Sequence, residues 1–200
     1  HGREPLQLLL FWSFAHGWLL YTEGGGTMSL GDLIEARAWN KLYDYVNKLN
    51  EDSQPFINLK KSELEELSFC VWQLLDNMGM YSDFDEDFYP QLEKLLAKVC
   101  SYLQRTYAGD NDLQCLIGYM ISLFPENFPS MGKNYIEVKR IGDLILEEAS
   151  RREPQNPFVK VLCTDEKVDK HNILMALAYI KERFKNCKEI ASYFQRTLLS

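Results

Sequence analysis

Few side chains in this 200-residue chain are placed to do acid–base chemistry. The groups that titrate near neutral pH are His1, His16 and His171, far apart in sequence, and none stands in a G-x-S-x-G, H-E-x-x-H or Cys/His pattern. His16 lies in a heavily apolar stretch, where a hydrogen-bonded core histidine is expected, and His171 is expected on a helix surface. The five cysteines, Cys70, Cys100, Cys115, Cys163 and Cys187, are odd in number, widely spaced and without a C-x-x-C pair. They read as buried thiols of a reduced, cytoplasmic compartment. No pair of carboxylates is singled out for two-carboxylate hydrolysis. The expectation is a protein that is not an enzyme and carries no cofactor.

Asp83, Asp85 and Asp87 occupy the first, third and fifth positions of a calcium-binding EF-hand loop, whose hard oxygen ligands follow that spacing. The remainder of the loop does not fit. Phe88 stands where glycine is required, Lys94 where the bidentate glutamate belongs, and Pro90 lies between them, so no metal site is expected.

The same acids belong to a wider pattern. Between Glu51 and Glu93 eleven carboxylates face two lysines, a local charge of 2 − 11 = −9 on a chain of net −7, leaving +2 for the rest. In the densest part, Tyr81 to Tyr89, the carboxylates Asp83, Asp85, Glu86 and Asp87 alternate with Tyr81, Phe84, Phe88 and Tyr89. Concentrated carboxylates steer a basic partner, and rings supply contact area at little rotamer cost. Asp83, Asp85, Glu86 and Asp87 are therefore expected to steer and Phe84, Phe88 and Tyr89 to anchor a basic protein. The helix before them, with Glu63, Glu65, Glu66 and Asp76, extends the field. The competing reading is a solvated loop whose rings face the core. Direct binding to nucleic acid is opposed by the sign of the charge, since the lysines Lys167, Lys170, Lys181, Lys185 and Lys188 are interleaved with Asp165, Glu166, Asp169, Glu182 and Glu189.

The elements that must hold these residues are helical, because period-2 alternation is absent and β-branched residues are scattered. A first helix is expected from about Pro5 to Tyr21; at about sixteen apolar residues, interrupted by Gln7, Ser13, His16 and Gly17, it reads as a core helix and not a membrane span or signal segment. Gly24–Gly26 can act as a joint after it; a phosphate loop would need Lys and Ser or Thr directly after the glycines. Ser29 should cap a second helix carrying Leu30, Ile34, Ala38, Leu42, Tyr45 and Leu49 and ending near Asn50. Ser62 and Glu65 form a capping-box pattern opening a third helix that Gly79 stops. Pro90 starts a fourth helix with Leu92, Leu95, Leu96, Val99 and Leu103 inward, and Asp110 or Asn111 caps a fifth, Leu113 to Phe124, apolar nearly all round. A sixth runs from Tyr135 to Arg152, a short one follows Pro157, and an amphipathic pair covers about Val168 to Phe184 and Lys188 to Leu198. The chain reads as a single all-α domain, residues 1–200, of about eight or nine helices in antiparallel hairpins.

The segment Gly142 to Ala149, followed by Pro154 and Asn156-Pro157, resembles the second helix of a tetratricopeptide repeat, which implies an irregular tetratricopeptide-like stack or bundle. The stretch Cys115 to Pro125, with Glu153 to Pro157, is similar to the helical immunity proteins of bacterial polymorphic or contact-dependent toxin systems. That resemblance covers about forty residues and implies a cytoplasmic inhibitor that binds a basic toxin domain directly. Two other functions are carried beside it: a tetratricopeptide-like adaptor holding an extended peptide in a groove, and an enzyme or small-ligand receptor with a pocket near His16 or the tyrosine-rich helices.

Overall fold

Short polar residues cap four of the described helices, and apolar stripes decide what each one packs against. The computed structural model describes residues 20–21, 27–28, 30–77, 80–132, 134–163 and 168–199. Among them a two-residue antiparallel pairing of β1 (Leu20–Tyr21) with β2 (Thr27–Met28), Leu20 opposite Met28, precedes nine α-helices. The protein is an all-α fold, as the periodicity requires. The helix expected up to Tyr21 does not include Leu20 and Tyr21, which are paired as strand; its other residues, with His1, His16 and Gly24–Gly26, lie outside the described residues.

The expected second helix is two helices, α1 (Leu30–Glu35) and α2 (Trp39–Glu51). Arg37 is the cause. It takes a left-handed backbone, φ 50°, while the Ala38 N–H reaches the Leu33 carbonyl at 2.9 Å and the Arg37 N–H that of Ile34 at 3.0 Å. This pair of bonds is the Schellman termination, in which the left-handed position usually holds glycine. The chain turns there and delivers Trp39 and Tyr43 to one face of α2.

Helix α3 (Lys61–Asn77) buries Leu64, Leu67, Val71, Leu74 and Leu75, as its apolar spacing predicts. Its start differs from the expected capping box. Glu63 reaches back to the Lys60 N–H at 2.8 Å, and Glu65 is buried at 1 % exposure instead of capping Ser62. A 3₁₀ turn, Glu86–Phe88, leads into α4 (Tyr89–Thr106), which has Pro90 in its first turn and all five expected leucine and valine positions fully buried. Asp110 caps α5 (Asn111–Leu123) by accepting the Leu113 N–H at 2.9 Å, and Asn134 caps α6 (Tyr135–Arg152) in the same way through Glu137. Asn156 starts α7 (Pro157–Leu162), Asp169 starts α8 (Lys170–Arg183), and α9 (Lys188–Leu199) ends the described chain.

Helices α5 and α6 run antiparallel in close contact. Asn111 donates to the Ala149 carbonyl at 3.0 Å at one end, and Ser122 to Asp143 toward the other. Between them the backbones meet at Gly118 and Gly142: a Cβ built on Gly142 would lie 2.5 Å from the Ser122 nitrogen. The absence of a side chain at these two positions is what permits the close approach. Helix α9 lies parallel to α3, because Cys187, Glu189 and Tyr193 meet Ser62, Glu66 and Phe69 in the same order. One continuous apolar core runs from Trp39 to Phe194. Its aromatic centre joins Phe69 and Trp72 to Tyr193 and Phe194, and Phe158 to Phe184 and Phe194, with ring centroids 5.2–6.1 Å apart. The Trp72 indole donates to the Met120 carbonyl at 3.1 Å, and the Tyr119 and Tyr193 hydroxyls bond at 2.9 Å, which satisfies polar atoms that the packing buries. Among the described residues, no helix is long and apolar enough to cross a membrane.

Candidate functional site: the acidic rim over helix α2

The alternation of acids and rings between Tyr81 and Tyr89 sorts itself by physical chemistry. Asp83, Asp85, Glu86 and Asp87 are exposed, whereas Phe84 and Phe88 are buried at 7 % and 8 % exposure and Tyr89 is half-buried. Phe84 stacks edge-on against Trp39 at 5.0 Å and Tyr43 at 5.4 Å; Phe88 lies against Tyr43 at 4.3 Å. The Tyr89 hydroxyl donates to the Leu75 carbonyl at 3.3 Å. Burial, with Glu86 and Glu93 nearby, pushes that hydroxyl up in pKa. The anchoring role expected of Phe84 and Phe88 is therefore corrected. Each of these two rings gains more from packing on Trp39 and Tyr43 than it could from solvent, and of the residues expected to meet a partner the four carboxylates and the half-buried Tyr89 remain at the surface.

Backbone bonds fix where those carboxylates stand. The Tyr43 hydroxyl accepts the Asp85 N–H at 2.9 Å, the Asp85 side chain accepts the Asp87 N–H at 3.0 Å, and the Phe88 N–H closes the turn on the Asp85 carbonyl at 3.0 Å. Asp83 meets Arg37 at 3.2 Å, and the Arg37 guanidinium also covers the Tyr81 ring at 5.7 Å. Both partners of that ion pair are about half exposed, so it orients more than it stabilises. The Trp39 indole N–H faces Asp83 without a hydrogen bond of normal geometry; with Arg37 it holds the Asp83 carboxyl below its ordinary range. Met80, 76 % exposed, stands directly before the segment and is the large apolar side chain that the rim does present.

The wider acidic field is smaller than its sequence count. Of the eleven carboxylates from Glu51 to Glu93, seven are exposed: Glu51, Asp52, Asp76, Asp83, Asp85, Glu86 and Asp87. Glu65 is withdrawn into an internal ion network. Arg183 of α8 bonds Glu65 at 2.8 Å, Asp110 at 3.1 Å and Asp112 at 3.0 Å, and Lys61 pairs with both Glu65 and Asp110. Tyr179 and Asn156 donate to the two oxygens of Asp112 at 2.9 and 2.7 Å. This network ties α3, α5 and α8 together, which is a structural use of charge. Glu66 is withdrawn in another way, accepting the Glu189 N–H at 3.1 Å at the start of α9. Burial, opposed by that backbone bond, pushes the Glu66 carboxyl up to about 7.

The remaining sequence candidates fall apart in space. His171 is exposed on α8, as expected. The EF-hand spacing is not a cage, since Asp85 turns back to the Asp87 backbone and Phe88 points into the core. Among the described residues, no group of three or more His, Cys, Asp or Glu side chains could hold a metal ion. A groove of about 300 Å³ lies between residues 53–57 and α4, with Lys98, Tyr102 and Arg105 along it. Lys98 is already committed there, donating to the Leu49, Asn50 and Asp52 carbonyls at the end of α2. Sequence reasoning missed Arg37, whose left-handed turn no glycine announces, and Met80, which carries no motif. Comparison with models of known families, with curated proteins and with solved structures gave no significant match.

Proposed function

We propose that the chain is a non-enzymatic helical protein-binding module that takes a basic protein partner on the rim Asp83, Asp85, Glu86 and Asp87. The observation that carries this reading is the division of labour within the segment. Four carboxylates stand in water on a backbone pinned from beneath by Phe84 and Phe88, with Arg37 as the neighbouring countercharge. Charges held in place before encounter raise association rates without a further ordering cost. Met80 supplies the apolar contact beside them. The likeness to immunity proteins gives the class of partner: a basic toxin domain neutralised in the cytoplasm by direct coverage.

The test starts from capture of the partner by the intact protein and its identification by mass spectrometry. Association is then measured for the native protein and for the amide variant Asp83→Asn, Asp85→Asn, Glu86→Gln and Asp87→Asn, which keeps side-chain shape and the Asp85 turn. A loss of tenfold or more in on-rate is expected, about the lower end of electrostatic steering. Met80→Ala should accelerate dissociation instead. An unchanged rate and unchanged salt dependence in the amide variant would remove the assignment.

A further inference from the structure

We propose that Cys115 and Cys163 form an oxidisable dithiol, a modification site that a hydroperoxide converts to a disulfide joining α5 to the end of α7. The two sulfurs are 4.0 Å apart across 48 residues of sequence, the one pair of cysteine sulfurs in contact among the described residues. Bonding requires an approach of about 2 Å, to a sulfur separation near 2.05 Å. Cys163 can supply it, because it caps the end of a six-residue helix, whereas Cys115 is fixed in the middle of α5.

The two thiols are unequal in the way such a reaction needs. Cys115 has no exposure, while Cys163 is partly exposed and is the sulfur a reagent can reach. The Cys115 S–H donating to the Cys163 sulfur favours the thiolate at Cys163, lowering its pKa and raising that of Cys115. The Leu146 carbonyl, 3.3 Å from the Cys163 sulfur, works the other way by accepting its proton.

The chemistry balances with one oxidant. The Cys163 thiolate attacks a peroxide oxygen, the O–O bond breaks, and Cys163 becomes a sulfenic acid with release of hydroxide or alkoxide. The Cys115 sulfur then attacks the Cys163 sulfur, the S–O bond breaks and water leaves, its second proton coming from the Cys115 thiol. Two thiols lose two electrons in all, and the peroxide gains them. A thiol reductant reverses the step by exchange.

The native protein is treated with hydrogen peroxide, denatured, alkylated and digested. The expected result is a fall in alkylatable cysteines from the five free ones to three, a linked peptide containing Cys115 and Cys163, and recovery of five after dithiothreitol. Cys163→Ser should abolish the loss of both thiols, and Cys115→Ala should leave a Cys163 sulfenic acid that dimedone traps. Cys115→Ala removes a buried side chain, so mapping of the native protein decides if that variant does not fold. Cys70→Ala should leave the link intact. Over-oxidation of Cys163 with Cys115 still a thiol, or a link between Cys70 and Cys187, would overturn the proposal.

Discussion

Replacing Gly142 by alanine should force α5 and α6 apart, because the new methyl has nowhere to go. An ideal Cβ at Gly142 lies 2.5 Å from the Ser122 nitrogen and 2.9 Å from both the Ser122 Cα and the Gly118 oxygen. Ordinary contact begins at 3.4 Å, so the first of these is about 0.9 Å too short. All three obstacles are backbone, and no rotamer change relieves them. A shift of α6 large enough to do so also stretches the Asn111–Ala149 bond and the Ser122–Asp143 bond that hold the pair together. Overpacking of this kind costs about 1–3 kcal/mol, and a weakened hydrogen bond about 1 more. Alanine returns about 1 kcal/mol through better helix propensity. The expected net loss is about 2 kcal/mol, or roughly 4–8 °C in melting temperature for a chain of this size. Urea unfolding followed by tryptophan fluorescence reads it, since Trp72 is bonded to the Met120 carbonyl of α5. Gly118→Ala should lose less, because its closest obstacle is the Ile145 side chain at 2.9 Å, and Gly109→Ala, which meets nothing within 4 Å, should be neutral. Equal midpoints for Gly142→Ala and Gly109→Ala would refute the close-approach argument.

Three further outcomes follow from the same structure. Arg183→Leu should destabilise by about 3 kcal/mol, because it removes the guanidinium that bridges Glu65, Asp110 and Asp112, leaving Glu65 with Lys61 as its remaining cation and Asp112 with only the neutral donors Tyr179 and Asn156; adding Glu65→Leu should recover part of the loss in the same melts. Glu66 has a folded pKa raised from 4.5 to about 7, so the native state holds a proton that the unfolded state gives up first. Its contribution is full below pH 4.5 and fades as pH rises to about 7, by at most about 3 kcal/mol before solvent screening; Glu66→Gln should flatten stability over that window, measured by urea titration at several pH values. Arg37→Gly should stabilise by about 0.5 kcal/mol, since removing the left-handed strain at φ 50° outweighs the loss of an exposed ion pair with Asp83 and an exposed contact with the Tyr81 ring; a lower melting temperature would contradict this.

Local signals carried much of the fold. Pro90 with its leucine stripe, Asp110 before the apolar fifth helix, and the span Tyr135–Arg152 all read directly, because capping and 3.6-residue periodicity act within one turn. The departures arise from residues far apart in sequence. Glu65 looks like a capping-box acid until Arg183, 118 residues later, draws it into the interior. The continuous stripe from Leu30 to Leu49 hides the turn at Arg37, a left-handed position without the glycine that would announce it. The acidic segment was legible as a charge pattern, and the choice between rings outward and rings inward was not. That choice rests on Trp39 and Tyr43, 45 residues upstream of Phe84 and Phe88 respectively, which supply the surface that those rings cover.

The rim is the centre of the functional account, and its most direct test is the salt dependence of association with the captured partner. The on-rate of the native protein should fall steeply as ionic strength rises. The variant with amides at 83, 85, 86 and 87, shown by circular dichroism to keep its helices, should associate at least about tenfold more slowly at low salt and respond weakly to added salt. Native and variant proteins with the same rate and the same salt slope would contradict the account.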